Sequence, residues 1–281
     1  MESLTKESCK PILKWAGGKR QLLPILLKNI PNKFNTYYEP FIGGGTLLLS
    51  LYSLNRINNA VISDTNADLY NLYKTIRENP RQLIEELNAL KFKNNKEDYY
   101  KARELFNSSS NHVERTAILI YLNRHGYNGL YRVNSSNKFN VPFGKYTNPG
   151  MPTQENIMAL SKLLQSCNVM NSDFEISVKN ARRGDFVYFD PPYMPLNKTS
   201  YFTGYTHSGF DEGNQERLSK VFRELSEKGV YVMESNSSTK LMKELYGDFN
   251  LIEVDARRNI NSVATKRDGV KELIITNYGV L

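Results

Sequence analysis

Hydrophobic and polar positions along the chain predict short strands that alternate with helices. YYEPF and AVISD read as buried strands, and each is followed by a helical pattern, TLLLSLY after the first and Ala67 to Glu78 after the second. Late in the chain the strand DFVYFD, a helix at about 213–228 and the strand VYVME repeat this order. Such alternation indicates a mostly parallel sheet with helices on both faces, to which the closing pair NLIEVDA and KELIITNY can add one antiparallel strand.

The pattern changes between Arg81 and about Gly150. Polar, helix-forming sequence there gives way to a turn-rich stretch, NGLYRVNSSNKFNVPFG, in which two short extended pieces around SSN predict a hairpin with a polar tip. A chain of 281 residues can bury one sizeable core and still carry an insert. We therefore expect a catalytic body formed by 1–80 and 151–281, with an inserted domain at 81–150.

The charge distribution favours a polyanionic partner. The formal net charge is +8, and the stretch from Leu119 to Gly150 holds four basic residues and no acidic one, with six aromatic residues interleaved. This mixture suits phosphate neutralisation combined with base stacking. A solvated basic face over a local core is the alternative reading of the same stretch.

Several classes of protein are disfavoured by composition. The apolar runs are far shorter than the roughly 20 residues that a membrane span needs, and the polar N-terminus MESLTKESCK lacks a signal core. Cys9 and Cys167 lie far apart in sequence, and with three histidines no zinc-binding spacing is present. We expect a cytoplasmic protein that makes no membrane contact and contains no disulfide and no metal.

A glycine turn and an acid carry the first candidate chemistry. Gly43, Gly44 and Gly45 follow a predicted strand and precede a helix, a position where glycines let the backbone approach a nucleotide. Asp64 ends the next strand, about 20 residues further on, where a carboxylate can accept from both hydroxyls of a ribose. A glycine turn kept for tight packing and a helix-capping role for Asp64 are the structural alternatives.

The tetrapeptide Asp190-Pro191-Pro192-Tyr193 is the second segment with candidate chemistry. Two prolines cannot continue a strand ladder, so the strand must stop abruptly and leave backbone carbonyls as preset acceptors. If the Asp190 carboxylate and the Pro191 carbonyl hold both hydrogens of an aromatic amine, its nitrogen can direct its lone pair at an electrophile. Tyr193 would stack on the base. An ordinary proline turn capped by a tyrosine is the alternative.

A third feature is the glycine turn KWAGGK at 14–19, which is flanked by lysines and carries the single tryptophan. It could bind a phosphate or a carboxylate, although it lacks the spacing of a P-loop. A basic turn over a buried tryptophan is the alternative.

In chain order, the segments KWAGGK, EPFIGGG, AVISD, RHGYNGLYRVN, FNVPFGKY, NSDF and DPPY closely resemble the Dam-type family of DNA adenine N6-methyltransferases, in the motif order called the alpha class. The resemblance runs from about Pro11 to Tyr278, and it is greatest to methyltransferase subunits of GATC-recognising type II restriction systems. It implies a Rossmann-like S-adenosylmethionine-dependent methyltransferase fold, with a mostly parallel seven-stranded sheet and an inserted helical and hairpin DNA-recognition domain.

The resemblance also implies site residues. Those expected to contact S-adenosylmethionine are Trp15, Lys19, Phe41, Gly43, Gly45, Asp64, Asp173, Phe174 and Asp190. The catalytic residues would be Asp190, Pro191, Pro192 and Tyr193. The DNA-binding residues would be Arg124, Tyr127, Asn128, Leu130, Arg132, Asn140, Pro142 and Lys145. Lys19 would pair with the cofactor carboxylate, and Leu130 and Arg132 would read bases. Lys145 stands where the family often has an arginine, whose planar fork suits bidentate reading of guanine better than the point charge of a lysine does.

These residues imply methyl transfer to adenine flipped out of duplex DNA, without a covalent enzyme intermediate. Cys9 and Cys167 do not look like the nucleophile that a cytosine-C5 enzyme requires. Other planar amines remain alternatives, namely cytosine N4, RNA or a protein glutamine. Where this chain has Asp190, the cytosine enzymes usually have Ser and the glutamine enzymes Asn, so Asp190 favours adenine. A catalytically silent DNA-binding protein of the same fold is a further alternative.

The expected partners are double-stranded DNA, with which the protein would associate at the nucleoid, and a cognate restriction endonuclease that acts on the same site. The sequence is compatible with a monomer or a weak dimer.

Overall fold

The chain forms alternating helices and strands in a computed structural model that describes residues 9–15, 17, 19, 21–194, 210–256 and 270–279. The helices in these ranges are α1 Leu23–Asn29, α2 Thr46–Ser53, α3 Ala67–Glu78, α4 Pro80–Ala89, α5 Lys96–Ser108, α6 His112–His125, α7 Gln154–Leu164, α8 Phe174–Val178, α9 Glu212–Glu227 and α10 Lys240–Leu245, with a 3₁₀ turn at Tyr127–Gly129. The strands are β1 Tyr37–Glu39, β2 Ala60–Ser63, β3 Cys167–Met170, β4 Phe186–Phe189, β5 Tyr231–Ser237, β6 Asn250–Ala256 and β7 Val270–Thr276.

The strands form a seven-stranded sheet in the order β3-β2-β1-β4-β5-β7-β6. Strand β1 runs parallel to both β2 and β4, and β4 runs parallel to β5. Strand β7 pairs antiparallel with β5 on one side and with β6 on the other. The expected Rossmann-like, mostly parallel seven-stranded sheet is therefore confirmed, and the closing pair supplies the antiparallel strand.

Packing divides the chain into two compact units, of which the second holds most of the sheet. This unit comprises 19–42, 59–63 and 172–281. Its apolar core includes Val187 and Phe189 of β4, Val232 of β5 and Phe222 of α9, all fully buried. Because β4 lies between β1 and β5, every side chain of Phe186–Phe189 is buried, and the residue that follows the strand stands at the carboxyl edge of the sheet.

The first unit comprises 1–18, 43–58 and 64–171 and is mainly helical. Helix α6 is its centre: α3, α4 and α5 all pack against it, and most of its residues are buried. Two antiparallel bridges, Gly126↔Phe143 and Val133↔Phe139, form the expected hairpin beyond this helix. The assignment of 81–150 as a DNA-recognition insert stays a prediction, since packing units do not reveal what a segment binds.

Local chemistry explains where several helices begin and end. The Asn66 side chain accepts hydrogen bonds from the backbone N–H groups of Asp68 and Leu69, so Asn66 caps α3. Helix α3 ends at Glu78, so the predicted stop at Pro80 is confirmed. Pro80 then begins α4, because a proline at the first helical position sacrifices no intrahelical hydrogen bond. The basic loop predicted between the last two strands falls at 257–269, outside the described residues.

Within the described ranges no helix is long and apolar enough to cross a membrane. Across the same ranges no three His, Cys, Asp or Glu side chains gather as a metal ion would require. Cys9 and Cys167 are buried and lie outside any disulfide.

Candidate functional site

The proline loop, residues 190–194, begins where β4 ends in the second unit. The last ladder pair of β4 and β5 joins Phe189 and Glu234, and Asp190 follows at once. Pro191 and Pro192 have no N–H to offer a neighbouring strand, so the ladder ends here. The expected abrupt stop at the carboxyl edge of the sheet is therefore confirmed.

Asp190 has a basic partner within this unit. The Lys19 ammonium lies 2.7 Å from Asp190 Oδ1, and both side chains are largely buried. Burial raises the pKa of Asp190, and the positive charge of Lys19 opposes that rise. The ion pair thus favours the ionised carboxylate, which is the form that accepts hydrogen bonds from an amine.

Tyr193 is held at both ends of its side chain. Its hydroxyl donates to Glu272 Oε2 of β7 at 3.0 Å, and Lys19 Nζ lies 4.3 Å from the centre of its ring. Asp190, Tyr193 and Lys19 therefore meet at one point, where a fixed acceptor lies beside a fixed aromatic ring. This arrangement can orient a planar molecule that carries an amine.

An aromatic cluster, formed by Phe41, Phe174, Phe189 and Phe210, also lies in the second unit. The rings of Phe41 and Phe174 stack with their centres 5.6 Å apart. Asp173 caps α8 by accepting from the Glu175 N–H, and its Oδ2 lies 2.7 Å from the Arg217 guanidinium. The structure brings together Phe41, Asp173 and Phe174, three of the residues expected to contact the cofactor, and adds Arg217, which the sequence did not suggest.

The glycine loop and Asp64 meet in the first unit. Asp64 Oδ2 accepts from the Gly43 N–H at 3.2 Å, and its Oδ1 accepts from the Asn66 N–H at 2.9 Å. Burial raises the pKa of Asp64 to about 6, although these backbone hydrogen bonds oppose the rise. Because Asn66 caps α3, the capping alternative for Asp64 is wrong.

Trp15 explains why the loop is built from glycine. A Cβ atom at Gly43 would lie 2.8 Å from the Trp15 ring, and one at Gly44 would lie 3.1 Å from Trp15 Cβ. Gly43 and Gly45 also have positive φ angles of 44° and 67°, which side chains disfavour. The Trp15 ring lies 5.6 Å from that of Tyr131, whose hydroxyl donates to Asp68. The glycines are therefore needed for tight packing of this loop against Trp15, and this holds whether the loop binds a ligand or not.

The exposed turn, residues 125–146, follows α6 in the first unit. Its backbone is tied by the Tyr127 N–H to Pro142 O at 2.9 Å and by the Asn128 N–H to Tyr146 Oη at 2.9 Å. Asn128 has a φ of 53°, a left-handed conformation that asparagine tolerates. Of the eight residues expected to bind DNA, five have exposed side chains: Tyr127, Asn128, Arg132, Pro142 and Lys145.

The other expected DNA contacts are more engaged within the protein. Arg124 Nε donates to Ile12 O at 3.0 Å, and its Nη2 donates to Pro11 O, so this guanidinium is held by backbone. Arg132 Nε donates to Asn140 Oδ1 at 2.7 Å, which joins two expected contacts into one polar group. Leu130 is partly buried.

Asn123 was not predicted, and it ties two motifs together. Its Oδ1 accepts from the Lys14 N–H at 2.7 Å, while its Nδ2 donates to Lys14 O and to Gly129 O, both at 2.8 Å. The clamp holds the segment before Trp15 against the exposed turn. A single amide at the end of the apolar run ILIYL is the sequence signal that could have revealed it.

Comparison with known proteins gives a consistent family assignment. The family model described as D12 class N6 adenine-specific DNA methyltransferase matches residues 15–260. The type II methyltransferase M1.LlaDCHI of Lactococcus lactis subsp. cremoris is 46% identical, with 98% of this chain and 97% of that protein covered. The type II methyltransferase M.MjaIII of Methanocaldococcus jannaschii is 43% identical, covering 96% and 99%. The DNA adenine methylase of Escherichia coli strain K12 is 34% identical, covering 94% of each chain.

Proposed function

The chain belongs to the D12 class of N6 adenine-specific DNA methyltransferases, and from this premise we propose that it methylates adenine N6 within duplex GATC sites after flipping the base out of the helix. S-adenosylmethionine is the methyl donor. When bound, it supplies a methyl group made electrophilic by a positively charged sulfur. The proposal depends above all on one observation: Asp190 lies beside Lys19 and Tyr193 where β4 ends.

The proline loop would act on the target amine. Adenine N6 is a weak nucleophile because its lone pair is delocalised into the ring. The Asp190 carboxylate and the Pro191 carbonyl would accept its two hydrogens, and Tyr193 would stack on the base. Fixed acceptors of this kind stabilise charge that develops during transfer without having to reorganise. The amine proton then leaves to water.

The residues present fit an adenosyl cofactor. The glycine loop packs closely against Trp15, and Asp64 keeps lone pairs that can accept from ribose hydroxyls. We assign Trp15, Gly43, Gly45 and Asp64 of the first unit, and Lys19, Phe41, Asp173, Phe174 and Asp190 of the second, to cofactor binding. Lys19 would pair with the cofactor carboxylate, and Phe174 would stack on the cofactor adenine.

The exposed turn would bind DNA. The side chains of Tyr127, Arg132 and Lys145 reach solvent, as groups that contact phosphates and unstacked bases must. Tyr127 and Asn128 would lie beside the flipped base, Leu130 and Arg132 would read base edges, and Arg124, Asn140, Pro142 and Lys145 would contribute further contacts. GATC as the recognition site rests on the resemblance of this segment to GATC enzymes.

Two relatives carry type II names, and this supports a restriction endonuclease of the same specificity as a partner in function. A protein that acts on chromosomal DNA in this way would work at the nucleoid, in the cytoplasm. We expect a monomer or a weak dimer.

Sequencing that detects modified bases tests the function and the recognition site together. DNA from cells expressing the wild-type chain is compared with DNA from cells expressing Asp190→Ala. N6-methyladenine in nearly all GATC sites of the first sample and in none of the second supports the proposal. Methylation confined to another motif refutes GATC, modified cytosine refutes the adenine assignment, and unmodified DNA in both samples favours a catalytically silent protein.

A further inference from the structure

Side chains from two other elements hold the backbone of the proline loop. Gln215 Nε2 of α9 donates to Pro192 O at 3.0 Å. Asn236 Oδ1 of β5 accepts from the Met194 N–H at 3.2 Å, and Ser237 Oγ donates to Met194 O at 2.6 Å. Prolines cannot donate to a ladder, so side chains replace the backbone partners that a strand would have had.

The two amides are joined to each other and to a buried acid. Asn236 Nδ2 donates to Gln215 Oε1 and to Glu234 Oε1, both at 3.0 Å, and the Tyr246 hydroxyl donates to Glu234 Oε2 at 2.6 Å. The side chains of Gln215, Glu234 and Asn236 are fully buried. A buried polar group without a partner is costly, so such a chain holds its geometry tightly.

The orientation of both amides follows from their partners. Pro192 O can only accept, so the Gln215 NH₂ group must face it. The Met194 N–H can only donate, so the Asn236 carbonyl must face it. Each bond therefore has a fixed direction: the Met194 N–H donates to Asn236, Asn236 donates to both Glu234 and Gln215, and Gln215 donates to Pro192 O.

We propose that Gln215 and Asn236 form a positioning relay, which sets the peptide plane between Pro192 and Tyr193 and so aims the Tyr193 ring and the neighbouring Pro191 carbonyl at the target amine. The relay rests on the proposed function of the proline loop. Pro192 O and the Tyr193 N–H belong to one rigid peptide plane, so fixing the carbonyl fixes the direction in which the Tyr193 side chain leaves the backbone. Glu272 holds the other end of that side chain. Neither amide touches the reacting atoms.

The relay affects the transfer step more than binding. Displacing a reacting group by about 1 Å can cost roughly 100-fold in rate. Gln215→Leu keeps the approximate volume and removes the donor, and it is expected to lower the single-turnover rate at saturating DNA and cofactor by roughly 10- to 100-fold. The KM for S-adenosylmethionine should stay within about twofold, since the described hydrogen bonds of the relay lead to Pro192, Met194 and Glu234, none of which is assigned to the cofactor. Ser219→Ala, on the buried side of the same helix and away from the loop, is the matched control and should keep the wild-type rate.

Gln215→Glu supplies a second readout. An ionised glutamate cannot donate to Pro192 O, whereas a protonated one can. The rate of this variant relative to wild type at the same pH should therefore rise as the pH falls from about 8.5 to about 6, where carboxyls in buried surroundings take up protons. Glu234, which faces Gln215 through Asn236, is present in both proteins, so the ratio isolates position 215.

The outcomes separate the two proposals. No transfer by the wild-type chain to any DNA refutes the proposed function. Transfer by wild type together with an undiminished rate in folded Gln215→Leu refutes the relay alone. If Gln215→Leu does not fold, the pH ratio of Gln215→Glu decides, and a ratio that does not change with pH overturns the relay.

Discussion

The proline loop and the exposed turn are both irregular segments whose backbones are held by side chains from other elements, yet their own side chains differ in exposure. In the loop, Asp190 and Tyr193 are paired inside the protein with Lys19 and Glu272. The backbone of the turn is held by the side chains of Tyr99, Asn107 and Asn123, but five of its own side chains that are expected to bind DNA are exposed. The difference fits what each is proposed to do, because a catalytic group must hold one position while a DNA-binding surface must reach outward.

The largest effect should follow from removing the charge at the head of the proline loop. Asp190→Asn keeps the shape and loses the anionic acceptor, so kcat should fall by about 100- to 1000-fold, as when one preorganised partner is removed from an active site. Single-turnover methyl transfer measures it, with circular dichroism as the check on folding. Asp255→Asn, an exposed acid of β6, is the control. A loss of less than tenfold would mean that Asp190 takes no part in methyl transfer. The proline loop would then no longer differ from the exposed turn by holding a catalytic group.

A buried acid beneath the loop should make stability depend on pH. Burial raises the pKa of Glu234 to about 7, so the folded state holds a proton that the unfolded state releases above about pH 4.5. The stabilisation that this proton gives is complete below pH 4.5 and is lost as the pH rises through 7. The free energy of unfolding falls by about 3 kcal/mol over this range.

Glu234→Gln should remove this part of the decrease, measured by urea unfolding at pH 5 and pH 8. The exposed Glu104→Gln in α5 is the control and should follow wild type. If wild type and Glu234→Gln lose equal stability between the two pH values, titration of Glu234 does not cause the pH dependence of stability.

The next largest effect should come from removing the Asn123 side chain, which clamps the exposed turn. Asn123→Ala leaves the Lys14 N–H and two carbonyls without their partner, which should lower the free energy of unfolding by about 1–3 kcal/mol. Urea denaturation measures it, and the exposed Asn58→Ala in the same unit is the control. Equal stability of the two variants would mean that the Asn123 side chain does not help to hold the turn.

The smallest effect concerns an exposed cation of the turn. Lys145→Ala should weaken DNA binding equally on all sequences and reduce the slope of log K against log salt by about one, since one phosphate contact is lost. Fluorescence anisotropy over a range of salt concentrations gives the slope. Lys91→Ala, an exposed lysine before α5, should leave the slope as in wild type. An unchanged slope for Lys145→Ala would exclude a phosphate contact at this position.

The sequence predicted the features that depend on neighbours in the chain. A buried strand followed by two prolines, and a glycine turn between a strand and a helix, are local signals, and both occur where expected. The short helices α8 and α10 were missed, since five or six residues are too few to show a period.

Contacts between distant segments could not be predicted. Nothing in the motif order indicates that Lys19 pairs with Asp190, or that Gln215 reaches Pro192. Arg124 is a further example: its basic character suggested DNA, whereas the fold places its guanidinium on the carbonyls of Pro11 and Ile12. Such pairings depend on how elements far apart in sequence pack together.

The identity of the methylated atom shows whether Asp190 directs methyl transfer to adenine N6. Duplexes that carry one GATC or, in its place, one GTAC are incubated with the chain and isotopically labelled S-adenosylmethionine, digested to nucleosides and analysed by mass spectrometry. We predict labelled N6-methyladenine from the GATC duplex with the wild-type chain, and none above background with Asp190→Ala. Labelled N4-methylcytosine, or equal N6-methyladenine from both proteins, would contradict this role of Asp190.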